Sequence, residues 1–307
     1  MSKVSIWLSA LRLRTLPLAA ASIILGAGLA IQAQIFDLLI FSLSLMTALL
    51  LQILSNLAND YGDANSGADN VQRVGPARAM QSGAISQKSM KMAILLTTLL
   101  VSVSGITLLV VALGSNATSW AIFLLLGLLA IIAAITYTMG KLPYGYRAMG
   151  DFSVFLFFGL LGVVGSYYLY ALTLSWPLLL PATSVGLLSA AVLNINNMRD
   201  MYTDKEANKT TLVVLWGRKN AFIYHLVLII GALICAVCYF GLLENVQTWQ
   251  FVFLLSFSPL IKSCLRLKEA IFKDLRDGQI FNQELKNTAL STFVFSLLFA
   301  LVLITMN

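Results

Sequence analysis

Charge is scarce in this 307-residue chain: 11% of its residues are Asp, Glu, Lys or Arg, where a soluble domain carries about 25%. Set beside 59% hydrophobic residues, that scarcity excludes an ordinary soluble domain. Histidine is nearly missing, since His225 stands alone. A His-rich metal site is therefore excluded, and a serine-type triad has no support. The three cysteines include a CxxC pair, Cys235 and Cys238. It lies inside an apolar run without a second pair, so zinc or thiol redox chemistry is unsupported.

What the chain has instead is long apolar runs. About 20 apolar residues cross a bilayer, and nine stretches qualify: approximately 15–34, 37–58, 92–113, 118–139, 151–171, 178–198, 221–242, 248–266 and 288–306. The expected fold class is an all-α polytopic membrane protein, one domain over 1–307 with cytoplasmic cap loops at about 59–91 and 199–220. All 20 Lys and Arg fall on one side of this topology. The opposite connections, near 35, 115, 174 and 245, carry only Asp37 and Glu244. Cytoplasmic loops retain Lys and Arg, so the N-terminus is expected inside and the C-terminus outside. The same rule accounts for the net charge of +7 without nucleic acid, because the basic residues are scattered and not interleaved with aromatics. Residues 1–33 resemble a signal peptide superficially, but eight further spans favour a retained first helix.

Two acidic clusters break the apolar pattern. Asn56 and Asp60 recur, 140 residues later, as Asn196 and Asp200, and a third carboxylate follows each pair, Asp63 in the first cluster and Asp204 in the second. On a helix, i and i+4 share a face, and the third carboxylate at i+7 or i+8 stays on it. Gathered carboxylates repel unless a cation separates them, and hard oxygen ligands suit Mg2+. Two clusters suggest two ions holding one diphosphate. The constant offset suggests a duplicated four-helix unit followed by a ninth helix. Asp69 is either a further ligand or an Asx-turn residue.

A diphosphate also needs fixed cations, for which Arg14, Arg73, Arg78, Lys141, Arg147 and Lys209 are candidates; each alone is more often a topology residue, and those adjoining the acidic clusters or the Tyr/Gly-rich turn are the better candidates. The segment from Tyr137 through Lys141, Tyr144 and Arg147 could hold an aromatic acid by stacking and charge, or form an interfacial aromatic belt. Gly159, Gly162 and Gly165, with Gly26 beside Gly28, should allow close helix packing. A secondary transporter with internal repeats is a competing class, though its charges belong near the bilayer midplane rather than at one edge.

At six stretches the chain resembles the UbiA superfamily of intramembrane aromatic prenyltransferases: Leu11-Arg-Leu-Arg-Thr-Leu-Pro17, Gln52-Ile-Leu-Ser-Asn-Leu-Ala-Asn-Asp-Tyr-Gly-Asp63, Gly75-Pro-Ala-Arg78, Leu142-Pro-Tyr-Gly-Tyr146, Asn196-Asn-Met-Arg-Asp200 and Lys209-Thr-Thr-Leu212. The first cluster is NxxxDxxD where the superfamily has NxxxDxxxD. The resemblance implies nine helices around a central cavity in the bacterial inner membrane. It implies Mg2+-dependent transfer from a polyprenyl diphosphate to 1,4-dihydroxy-2-naphthoate with loss of diphosphate and CO2, giving demethylmenaquinol in menaquinone synthesis. The alternative acceptor is 4-hydroxybenzoate. By the same resemblance Asn56, Asp60, Asp63, Asn196, Asp200 and Asp204 hold metal, with Asp60 and Asp200 catalytic. Arg14, Arg78, Lys141 and Lys209 clamp phosphate or carboxylate, and Tyr137 orients the reacting centre. Arg73, Tyr144, Arg147 and Asn197 complete the expected substrate contacts.

Overall fold

The computed structural model describes residues 2–66, 78–275 and 278–306, and among these it is helical apart from one isolated β-bridge. Among the described residues, nine helical segments are long and apolar enough to cross a membrane, the number expected. The first is interrupted: α1 (Lys3–Leu11) and α2 (Leu16–Gln32) meet at Arg12, whose left-handed backbone (φ 49°, ψ 55°) turns the chain. Then follow α3 (Leu38–Ser66), α4 (Gln87–Leu113), α5 (Ala117–Thr136), α6 (Gly150–Ala171), α7 (Trp176–Glu206), α8 (Leu212–Gly241), α9 (Thr248–Phe272) and α10 (Gly278–Ile304).

The helices outrun the apolar stretches that announce them. α7 continues eight residues past the expected 198 because its polar end is buried: Arg199, Asp200, Thr203 and Asp204 all lie inside the protein. The expected cap at 199–220 thus contracts to 207–211 and the opening of α8, which is broken at Gly217 (φ 76°). Likewise α3 extends to Ser66, α9 runs on to Phe272, and α10 already opens at Gly278.

Close contact between helices rests on missing side chains. A Cβ on Gly159 of α6 would lie 2.7 Å from the Gly186 Cα of α7, and one on Gly28 of α2 would lie 2.5 Å from Ala300 Cβ of α10. These backbones approach as small residues permit in apolar surroundings. The middle of α6, Phe155–Gly165, is a π-helix, a feature the apolar composition does not reveal. Ser22 of α2 donates to the Phe158 carbonyl at 2.6 Å, tying that wide turn to its neighbour. Near the end of α8 a knot of Phe240, Phe253 and Phe299, with centroids 5.0 to 5.1 Å apart, packs α8, α9 and α10 together. The other end is polar.

Candidate active site

Both acidic clusters lie at that polar end, on the last turns of α3 and α7. Their side chains are divided among distinct partners. Asn56 donates to the Leu11 carbonyl and to Thr15, each at 2.9 Å, so its amide braces the α1–α2 junction. Asp63 takes Arg78 Nη1 at 2.6 Å on one oxygen and the Tyr146 hydroxyl at 2.7 Å on the other. Asp200 is gripped by Arg199 through Nε at 2.7 Å and Nη2 at 2.5 Å. Arg199 also donates to Asn196 at 2.9 Å and to Asn282 of α10 at 2.6 Å. Asp204 faces Lys209 Nζ at 3.2 Å.

Among the described residues of the two clusters, two buried carboxylate oxygens have no hydrogen-bond partner, Oδ1 of Asp60 and Oδ2 of Asp204. Such groups are costly unless something else satisfies them. No three carboxylate, His or Cys side chains gather at one point among the described residues. The donors are nonetheless hard oxygens, two of them unpartnered, which is the chemistry a Mg2+ ion selects.

Two loops join the clusters. Ala148 donates to the Thr210 carbonyl at 2.8 Å and Thr210 to the Tyr146 carbonyl at 3.1 Å, the β-bridge between Arg147 and Thr210. The bridge places Lys209 Nζ 5.5 Å from the centre of the Tyr146 ring. Burial works against the Lys209 charge, yet Asp204, Asp63 and Asp200 outweigh it and hold the ammonium protonated above its ordinary range. Burial, reinforced by Asp151, keeps the Tyr137 phenol protonated, so that group can donate a hydrogen bond but not act as a base. Its ring crosses Tyr144 edge-on at 5.2 Å. Glycines hold it there: a Cβ on Gly145 would lie 2.8 Å from the ring and one on Gly150 2.7 Å from the hydroxyl.

Gly62, inside the first cluster, does the same for the loop. A Cβ there would sit 2.5 Å from the Thr138 carbonyl oxygen, in a contact where Thr138 donates to the Ala58 carbonyl at 3.0 Å. Gly62→Ala should push Tyr137 and Thr138 off α3 and lower kcat by about 10²-fold, the scale of a 1 Å misplacement, with helix content retained by circular dichroism. Unchanged kcat would refute this coupling.

Two cavities adjoin the polar end. The larger, of about 600 Å³, has Asn59, Asp63, Arg78, Asn196 and Lys209 at its head. It runs between the helices along Val101, Leu109, Phe123, Phe157 and Leu169, an apolar shaft. The second, of about 580 Å³, lies between the α1–α2 junction and α10 and includes Asp60, Arg14 and Arg199. They share Arg12, Thr15, Arg78 and Asn196.

Of the expected site residues, Asp63, Arg78, Tyr137, Tyr144, Asn196, Asn197 and Lys209 line the shaft cavity, and Arg14 and Asp60 line the second. Asn56, Asp200 and Asp204 stand behind the walls, all buried. Lys141 and Arg147 are exposed and line neither cavity, because the tight turn at Pro143–Tyr146 directs the tyrosines, not the cations, inward. Arg73 and Asp69 lie outside the described residues. Arg12, Thr138 and Arg199 were not anticipated. A signal existed only for Arg199, three residues after Asn196 and so on the same helix face.

A bundle whose ionic end opens onto an apolar shaft is built for a substrate with an anionic head and a hydrocarbon tail, an intramembrane enzyme of lipid-tailed diphosphates or their like. Residues 19–270 match the profile of the UbiA prenyltransferase family, and the chain belongs to that family. It is 52% identical to the 1,4-dihydroxy-2-naphthoate octaprenyltransferase of Escherichia coli over 85% of this chain and 84% of that protein. The Haemophilus influenzae enzyme of the same name is 43% identical over 86% and 85%. Among solved structures, a UbiA homolog from Aeropyrum pernix K1 superposes with a TM-score of 0.65 at 17% identity, covering 92% of this chain and 94% of that one. One from Archaeoglobus fulgidus bound to DMAPP and Mg2+ gives 0.61 at 17%, covering 98% and 99%. These two show the fold alone.

Proposed function

We propose that this multi-span membrane protein transfers a polyprenyl group from its diphosphate to 1,4-dihydroxy-2-naphthoate, in the bacterial inner membrane, with the N-terminus cytoplasmic. The observation that carries the reading is the junction of a cation- and carboxylate-lined head with an apolar shaft in one cavity. Relatives named as octaprenyltransferases support the choice of acceptor.

Asp60, Asp63, Asp200 and Asp204, with Asn56 and Asn196, are the oxygens that would hold Mg2+. When bound, Mg2+ neutralises the diphosphate and makes it a better leaving group. Arg78 and Lys209 at the cavity head bind phosphate oxygens, Arg78 as a planar fork and Lys209 as a point charge. The shaft holds the tail and excludes water from the prenyl C1. The C1–oxygen bond breaks as the ring carbon bearing the carboxylate attacks C1. The carboxylate then leaves as CO2, returning its electron pair to the ring, and the product is demethylmenaquinol. The protonated Tyr137 donates a hydrogen bond and orients the reacting groups. A hydroquinone ring is electron-rich enough to react without a dedicated base.

The test is incubation of purified protein with Mg2+, a polyprenyl diphosphate and carboxyl-labelled naphthoate or 4-hydroxybenzoate. Release of labelled CO2 from the naphthoate, lost on adding EDTA, is expected. Prenylated 4-hydroxybenzoate retaining its label, without turnover of naphthoate, would overturn the reading.

A further inference from the structure

The shaft is apolar on one side only. α5 lines it with nine residues, none of them polar, whereas α3 presents Ser44, Thr47, Gln52, Ser55 and Asn59 along its length. On α7, Ser189 lines the same space. We propose that hydroxyls in the shaft wall, those of Ser55, Ser189 and Ser44, read the double bonds of the tail, so that the protein selects a tail unsaturated along its length over a saturated one. This inference rests on the prenyltransferase reading above and adds the kind of tail the shaft takes.

Unused hydrogen-bonding capacity is the first argument. In a membrane-spanning helix a hydroxyl commonly donates to the carbonyl one turn back, as Ser42, Thr97 and Thr98 do at 2.8 Å. Thr47 does the same and also meets Ser104, while Gln52 donates to Asn56. Those two groups are spent within the protein. Ser44 and Ser189 are only 3% and 1% exposed, and neither Oγ has a hydrogen-bond partner among the described residues. A serine hydroxyl turns among three staggered wells, so each can swing toward the cavity it borders.

Chemistry is the second argument. Below its head a polyprenyl diphosphate has no lone pair to offer, and the face of a double bond is its one acceptor for a weak hydrogen bond. A saturated tail lacks even that and buries the same hydroxyls unsatisfied, which is costly. The apolar walls of α5 hold either tail equally. Discrimination therefore falls to the hydroxyls.

Spacing is the third. With a rise of about 1.5 Å per residue, Ser55 lies roughly 6 Å along α3 from Asn59 at the cavity head, Ser189 roughly 10 Å along α7 from Asn196, and Ser44 roughly 22 Å from Asn59. Each isoprene unit adds four chain bonds of about 1.5 Å, so double bonds recur roughly every 5 Å along an extended tail. Ser55 and Ser189 stand at depths that the second and third units reach. Ser44 stands at one reached only by a longer tail.

The experiment compares two allylic diphosphates of equal carbon number, geranylgeranyl and phytyl diphosphate, with naphthoate, Mg2+ and the purified protein in detergent. Phytyl keeps only the double bond beside the reacting carbon, so the chemistry is common to both and the ratio of their kcat/KM values isolates the tail. The unsubstituted protein should favour geranylgeranyl about tenfold, and Ser55→Ala and Ser189→Ala should each cut that preference about threefold, the scale of one weak hydrogen bond. Together they should bring it close to parity. Ser44→Ala should lower the preference for octaprenyl diphosphate over its analogue hydrogenated beyond the first unit. Ser189→Ala should melt no lower than the unsubstituted protein, because it removes a buried hydroxyl that has no partner. An equal fall with both tails marks a packing role and overturns the proposal, as does a preference unmoved in the Ser55→Ala/Ser189→Ala variant. Failure of the unsubstituted protein to prenylate naphthoate with any of these diphosphates sinks the functional reading itself, whereas turnover that ignores saturation sinks only the assignment of the hydroxyls.

Discussion

Alanine at Asp60 should remove turnover by about 10³-fold or more while the metal-free protein melts within a few degrees of the unsubstituted one. The activity loss follows from the several kcal/mol that a metal ion contributes to a departing phosphate, each ~1.4 kcal/mol being tenfold in rate. The stability expectation comes from the structure. Asp60 is buried and its Oδ1 has no partner, a state that costs about 1–3 kcal/mol. Deleting the carboxylate relieves that cost and forgoes the attraction of nearby Arg78 and Arg12, so the two effects oppose. In addition, Mg2+ with a prenyl diphosphate should raise the melting temperature of the unsubstituted protein and not of Asp60→Ala, because stabilisation by mass action requires binding. Turnover within tenfold of normal, or turnover that survives EDTA, would defeat the metal reading. Asp200 is a poorer choice for this experiment. Its removal strands Arg199, which is itself buried, and breaking such a pair costs about 3–5 kcal/mol, so folding and activity would fall together.

Leucine at Gly159 should prevent accumulation of folded protein. Any Cβ there would lie 2.7 Å from Gly186 Cα and 2.8 Å from the Ala182 carbonyl oxygen, and neither is a side chain that can swing aside. Excess volume in a packed core usually costs about 1–3 kcal/mol, and a backbone that cannot yield puts this site at or above the top of that range. The expected measurement is aggregation in detergent size-exclusion chromatography, where the unsubstituted protein should run as one species. Gly127→Leu is the matching control: it also lies within a membrane-spanning helix, but its Cβ would meet nothing within 4 Å, so that variant should fold. Monodisperse Gly159→Leu would show that α6 and α7 are able to separate.

The number of spans and the place of both clusters were readable because they depend on local composition: apolar runs of bilayer length, and polar residues at helical spacing on their ends. What escaped reading depends on contacts between distant parts of the chain or on backbone conformation that composition does not encode. The left-handed turn at Arg12 carries a residue type that ordinarily avoids it, and it delivers an arginine into both cavities. The π-helix of α6 has the same residues as an α-helix would. Lys141 and Arg147 looked as good as Lys209 in sequence, and only the turn at Pro143–Tyr146 separates them. The first cluster shows the limit of face arguments: Asn56, Asp60 and Asp63 share a helix side, yet Asn56 braces the α1–α2 junction, Asp60 borders one cavity and Asp63 the other.

The bridge between Arg147 and Thr210 has a consequence for how this chain can change in length. The loop after α5 carries Tyr137, Tyr144 and Tyr146, the loop after α7 carries Lys209, and hydrogen bonds between Tyr146, Ala148 and Thr210 fix their register. A residue inserted or deleted in either loop therefore displaces groups belonging to the other. Length variation should be lethal to turnover at 137–149 and 207–211, and tolerated in the turn at 114–116, which lies at the far end of α4 and α5 and contributes nothing to either cavity.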